Sequence, residues 1–377
     1  MLSQELIHWL RLVLTPEIGP RRGKSLLEKF KTPKAISEAS LADIAEVENI
    51  GREAAKKIIE GREKIDLGRQ IKLIEKNNIT LIPLDSESYP VSLKATFDPP
   101  LVLFVKGELL PQDYFSIAIV GTRLASFYGR AMAEKLSRQL VERGFTIVSG
   151  GARGIDTFSH QAALKAKGRT LAVLGCGLDI AYPPENKKLF GQIAEEGAMV
   201  SEFSLSTEPD KGNFPMRNRI ISGLSLGVVV IEAPHKSGAL ITVTHANEQG
   251  REVFSVPGKA DSFISKGSNQ LLREGAKLVE DADDIIEELE PLLKSKVKEF
   301  KAGQAGPQQE KEVLTQPRLS TEEARLYDLF SSGPLDLDGI LIKSRLSVSS
   351  VSSLLTALEL KKLVKQLPGK IFTKEAN

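Results

Sequence analysis

The chain has 377 residues, 41% hydrophobic and 27% charged, with a formal net charge of +2, values of a globular protein long enough for two or three domains. The near-balanced charge excludes a global field, so any nucleic-acid surface has to be a local patch. The single cysteine, Cys176, excludes an intramolecular disulfide and a Cys-rich zinc site, residues 1–14 carry no signal-peptide pattern, and no apolar run has membrane-spanning length, so a cytoplasmic protein with no membrane partner is expected.

Residues 1–84 read as short helices. Leu10, Leu12, Val13 and Leu14 open the region, and Leu26, Leu27 and Phe30 continue it at helical spacing. Two segments there look alike: Glu17-Ile18-Gly19-Pro20 before Gly23-Lys24-Ser25-Leu26, and Asn49-Ile50-Gly51-Arg52 before Ala54-Ala55-Lys56-Lys57-Ile58. Each is an apolar residue, a glycine and then a helix, the shape of a helix-hairpin-helix whose backbone N–H groups face outward. The second glycine usual in that hairpin is missing from both copies. The pattern leaves two readings, a DNA contact or a helical packing domain.

Tyr89-Pro90 and Pro99-Pro100 interrupt regular structure, and 101–105 reads as a strand. Apolar strands over 116–120, 145–149, 170–174, 198–201, 226–231 and 252–256 then alternate with helices near 125–143, 155–167, 186–196, 217–225 and 239–249. A further helix near 281–294 closes the domain. Continuous β-branched runs mark strands buried on both faces. The alternation predicts a Rossmann-like, doubly wound, mainly parallel sheet over 85–294. Residues 295–319 read as a solvated linker. In 320–377, Ser320 and Glu323 form a capping-box pattern. Helices at 321–331, 336–342 and 348–360, and a hairpin turning at Pro368-Gly369, spell a winged helix.

Ligands of open parallel sheets sit at the carboxyl ends of the strands. The first strand-to-helix loop there is Gly121-Thr122-Arg123, where a glycine, a helix start and a guanidinium suit a phosphate. The second holds Ser149, Gly150 and Gly151, an expected anion nest, ahead of Asp156 and His160, which read as a local hydrogen-bonded pair. It lacks Gly-x-Gly-x-x-Gly spacing and an acidic ribose partner, so no dinucleotide cofactor is expected. In the third, Cys176 has no evident activating partner and is taken as packing. The fourth runs from Lys211 through Phe214 to Arg217, Asn218 and Arg219. Its cations neutralise phosphates and its ring offers a stacking face that selects unpaired bases. Arg217 and Arg219 should point to different sides of a helix, one toward phosphate and the other organising the loop. The fifth offers Ser237 and Gly238 at a helix start as another anion seat. Histidines 8, 160, 235 and 245 share no zinc spacing, and no nucleophile–base pair stands out, so neither a metal nor a catalytic residue is assigned.

Taken together, the runs at 118–123, 149–156, 173–179, 214–224 and 248–258 resemble the bacterial DNA-processing protein A family (DprA, also called Smf). The resemblance implies a homodimer, not an enzyme, that binds and protects single-stranded DNA and loads the RecA recombinase during natural transformation. It implies a phosphate contact at Arg123 and, from the Lys-x-x-Phe arrangement, backbone and base contacts at Lys211 and Phe214, with Arg217 extending the patch. The chain departs from the family pattern at Ala239 and at Val243-Thr244-His245. Two alternatives stand beside this reading. One is a nucleotide phosphoribohydrolase of the lysine-decarboxylase-like fold, whose Pro-Gly-Gly-x-Gly-Thr loop is not found here. The other is a duplex-DNA regulator using Lys361, Lys362, Lys365 and Lys370 of the winged helix.

Overall fold

The computed structural model describes residues 2–303 and, beyond them, 326–330, 335–344, 346, 351, 354–355, 358, 363–367 and 371–374. The chain forms two compact units that divide between Glu299 and Phe300.

The first unit opens with six helices: α1 (Gln4–Leu14), α2 (Pro20–Phe30), α3 (Pro33–Glu38), α4 (Leu41–Ala45), α5 (Arg52–Glu63) and α6 (Leu67–Lys76). Ser3, Thr32, Ser40 and Asp66 cap four of them by accepting first-turn N–H groups. α2 and α5 start instead at Gly19 and Gly51, with no side-chain cap. The two look-alike segments form matching turns, and the position of the missing glycine is visible in each. Glu17 and Asn49, each two residues before the glycine, have φ of 68° and 64°, a left-handed conformation that usually calls for glycine. Asparagine tolerates it through its short polar side chain. Glu17 is held there by Arg22 at 2.6 Å and Lys57 at 3.7 Å, and these partners keep its carboxyl below the usual range.

The helical region does not have a core of its own. Trp9, Leu10, Leu26, Ile44, Ile58 and Ile74 pack in one cluster with Val102, Phe104, Leu174 and Phe190. The sheet also starts before residue 85, at β1 (Thr80–Pro83), which pairs with β2 (Val102–Gly107) across α7 (Val91–Lys94).

The chain then alternates: β3 (Ser116–Val120), α8 (Phe127–Glu142), β4 (Thr146–Ser149), α9 (Ile155–Lys165), β5 (Thr170–Val173), α10 (Lys187–Glu196), β6 (Ala198–Ser201), α11 (Asn213–Leu224), β7 (Gly227–Val230), α12 (Gly238–Glu248), β8 (Glu252–Ser255), α13 (Lys266–Arg273), β9 (Lys277–Leu278) and α14 (Ala282–Gly303). Among the described residues the sheet has nine strands in the order β1-β2-β6-β5-β4-β3-β7-β8-β9. β3 to β9 pair in parallel, while β1 with β2 and β2 with β6 are antiparallel. Successive strand residues face opposite sides. Ile117 and Ile119 join α8 and α14 in one core, and Ala118 and Val120 join α11 and α12 in the other. α14 runs on to Gly303, into the stretch expected to be linker. None of the described helices is long and apolar enough to cross a membrane.

In the second unit β10 (Leu335–Asp336), β12 (Ile371–Lys374) and β11 (Val364–Leu367) form a sheet in that order, beside α15 (Leu337–Ser344). Leu326, Phe330, Ile340, Val351, Leu355, Leu358, Val364 and Phe372 are its core. The antiparallel pair β11–β12 is the wing. The capping box at Ser320, most of the helix at 348–360, the turn at Pro368-Gly369, and Lys361, Lys362 and Lys370 lie outside the described residues.

Candidate nucleic-acid interface

Strand order turns about β3: β4 lies on one side and β7 on the other. The loops after β3, β4 and β5 and the start of α11 line a shallow, solvent-open groove, with Arg123, Arg153, Gly175, Tyr182, Phe214 and Arg217 in its wall. Phe214 is its centre. The Tyr182 ring lies 5.6 Å from it, centroid to centroid. The guanidinium carbons of Arg123 and Arg217 lie 5.4 and 5.9 Å from its centroid, within cation–π range. Gly175 makes room for the ring, because a Cβ there would stand 2.9 Å from Phe214 Cδ1.

Phe214 stands in the first turn of α11, which starts earlier than the expected 217. Asp210 Oδ1 accepts from Gly212 N at 2.7 Å, and the helix begins at Asn213. Pro215 is the third helical residue, where a missing N–H costs no helix bond. Lys211 is exposed just before this turn, and Arg123 is exposed at the end of loop one. Arg123 and Phe214 thus meet, from positions far apart in the chain.

Loop one is pinned to the turn that follows β7. Thr122 is buried and its N–H donates to Glu232 O at 2.7 Å. Ser126 donates through N and Oγ to the two carboxylate oxygens of Glu232, at 2.9 and 2.6 Å, and caps α8. Gly121 lies half-buried beside Thr122. A rigid turn therefore presents Arg123.

Loop two corrects two expectations, the anion nest of Ser149, Gly150 and Gly151 and the pairing of Asp156 with His160. The nest is already filled: Asp156 Oδ2 accepts from Gly150 N at 3.1 Å and Ala152 N at 3.2 Å. Ser149 is fully buried and donates to Ile119 O at 2.6 Å. Gly151 is buried, with its carbonyl accepting from Asn186 Nδ2 at 3.0 Å. Asp156 and His160 are not a pair either. Thr170 Oγ1 gives its proton to Ile147 O, so the His160 Nδ1–H donates to Thr170 Oγ1 at 2.7 Å. Complete burial, with Arg217 adding to it, lowers the His160 pKa to about 3.

α11 corrects a third. Arg217 and Arg219 do point to different sides, but both are 5% exposed. Arg217 donates to Gly150 O and Val173 O, and its Nε to Asn218 Oδ1 at 3.1 Å. A Cβ on Gly150 would stand 2.6 Å from that guanidinium, so glycine is what lets the arginine pass. Burial lowers the Arg217 pKa to about 10, with Asp156 opposing and Arg123 adding, so it remains charged at neutral pH. Arg219 donates to Glu202 and to Asp98 O. Asn218 is buried and donates to Gly238 O at 3.0 Å. These three residues build the scaffold, and Arg217 also places a fixed positive charge behind Phe214.

In loop five Ser237 caps α12 by accepting from Ala239 N at 3.3 Å, and Gly238 is exposed. Cys176 is buried, and burial raises its thiol to about 11, which agrees with a packing role. Two groove residues were not singled out from sequence: Tyr182, and Arg153, whose guanidinium pairs with Glu185 at the surface. The signal was present, since both lie in loops after β4 and β5.

Comparison with known proteins identifies relatives of this chain. The family model for DNA recombination-mediator protein A matches residues 80–290. The chain belongs to this family. A DprA winged helix domain matches 310–370, and a SAM-like helix-hairpin-helix tandem matches 11–64. Protein Smf of Synechocystis is 35% identical over 98% of this chain and 98% of its own. The DNA processing protein DprA of Bacillus subtilis is 46% identical over 59% of this chain and 75% of its own. The structure of DprA from Streptococcus pneumoniae matches at TM-score 0.66 and 36% identity, covering 76% of this chain and 98% of that one. A structure describing the single-stranded DNA binding mode of DNA processing protein A from Helicobacter pylori matches at TM-score 0.51 and 31% identity, covering 58% and 98%.

Proposed function

We propose that the groove binds single-stranded DNA, with Arg123 and Lys211 on phosphates and Phe214 against a base. The protein acts in the cytoplasm as a homodimeric recombination accessory factor that hands the strand to RecA during transformation, and it is not a catalyst. The observation that carries the DNA reading is the solvent-facing Arg123 guanidinium 5.4 Å from the Phe214 centroid in an open groove. A cation beside a ring suits a phosphate next to an unpaired base, and a duplex hides its base faces. The binding mode in the Helicobacter pylori relative's description supports the same reading. The non-catalytic reading draws support from Cys176 and His160, which are buried with their titrations displaced away from neutrality.

The test is an anisotropy titration of single- and double-stranded oligonucleotides at two salt concentrations. Arg123→Ala should weaken single-strand binding regardless of sequence and reduce the salt slope by about one charge. Phe214→Ala should cost about 1–3 kcal/mol. Unchanged affinity in both variants would sink the proposal. Deleting 300–377, a separate compact unit, should leave single-strand affinity largely intact. Loss of binding on that deletion would favour a duplex regulator, and release of base from nucleoside monophosphates would favour a phosphoribohydrolase.

A further inference from the structure

Just past Arg123, the chain exposes two large apolar side chains, Leu124 at 82% and Phe127 at 89%. Local hydrogen bonds hold the turn that carries them. Leu124 N donates to Thr122 Oγ1 at 3.2 Å, and Gly129 N donates to Ser126 Oγ at 3.0 Å. Ser126 is tied twice to the buried carboxylate of Glu232. Phe127 is the first residue of α8, so its ring stands on a rigid helix start. Tyr128, 45% exposed, anchors the next position through its OH to Pro257 O at 2.9 Å.

We propose that Phe127, with Leu124, is a second base-stacking station for the same strand, continuing its path from the Arg123–Phe214 groove onto the start of α8. This rests on the single-strand reading above. The flanking charges argue for a nucleic acid as occupant. Arg123 precedes the apolar pair. Arg130 follows Phe127 by three residues, on the same helix face, and is exposed, with its guanidinium 4.9 Å from the Phe158 centroid and its Nε on Glu134 Oε1 at 2.8 Å, a solvent-exposed pair weak enough for a phosphate to displace. Cation, apolar platform and cation in succession match a strand that alternates phosphate with base. Both stations lie on one rim, because Arg123 belongs to the groove and to this turn.

The experiment compares thymidine oligonucleotides of about 4 and about 16 nucleotides, the range one binding site covers. Phe127→Ala, at an exposed position that does not bear on folding, should weaken the long oligonucleotide by about fivefold to tenfold and leave the short one unchanged. Phe214→Ala should weaken both. Phe127→Trp should keep the long-oligonucleotide affinity and lose tryptophan fluorescence on binding. Trp9, 2% exposed, provides the unquenched background in the wild type. If Phe214→Ala weakens binding while Phe127→Ala leaves the long oligonucleotide unaffected, the second station is overturned and the groove stands. If neither variant weakens binding, the groove reading falls and the station falls with it.

Discussion

The N-terminal hairpins and the rim of the sheet use the same parts to different ends. Each has glycine-led turns, helix starts and arginines. In the hairpins the cations stay at the surface, and Arg22 and Lys57 are answered by Glu17 between them. At the rim one arginine is buried under the turns and another is exposed above them, with Phe214 within range of both. An exposed ion pair contributes little to stability or shape, whereas a buried arginine with carbonyl acceptors holds a site in one geometry. The comparison separates cations that decorate a helix start from cations that build a binding surface.

The contrast is sharpest in the loss of a single arginine. Arg217→Ala should cost about 3–5 kcal/mol in urea unfolding, because it leaves the buried carbonyls of Gly150 and Val173 without their donor and removes the positive charge that offsets the burial of Asp156. Arg217→Lys should recover only part of that, since an ammonium cannot reproduce the guanidinium fork. A loss under about 1 kcal/mol for Arg217→Ala would erase the distinction between the two regions.

Acid should expose the same scaffold. His160 is neutral in the fold, with its pKa lowered to about 3, so below pH 6.5 only the unfolded chain takes up its proton. This contribution is complete above pH 6.5 and declines toward pH 3, by at most about 1.4 kcal/mol per pH unit. His160→Gln should flatten that part of the stability profile. An unchanged slope between pH 6 and 4 would place the acid sensitivity elsewhere.

The hairpins should respond far less. Asn49→Gly relieves a left-handed asparagine and should raise stability by less than about 1 kcal/mol, read as a small rise in Tm. Smallest of all, Arg21→Ala with Lys56→Ala should leave single-strand affinity within about twofold. A larger drop would move the hairpins into the interface and end the contrast.

Much of the fold was legible because parallel strands buried on both faces read as continuous apolar runs. The runs ending at Val120, Ser149 and Ser201 end where β3, β4 and β6 do. β9 has only two residues, too few for a periodic signal, and β1 was hidden behind helical sequence. Phe214 and Arg123 were legible as site candidates from chemistry and loop position. The orientation of Arg217 was not, because nothing local distinguishes an arginine reaching a phosphate from one reaching two carbonyls.

By itself, the order of apolar runs and turns determined a doubly wound sheet with its glycine-bearing loops gathered at one rim. Hydrophobic burial and strand chirality leave few other ways to pack such a pattern. Only the tertiary structure decided which charges look outward. Arg217 is claimed by the carbonyls of Gly150 and Val173, groups remote in sequence, and Arg123 is exposed beside the ring of Phe214. Burial of a charge is settled by the neighbours that can satisfy it, and those neighbours are assembled by the fold.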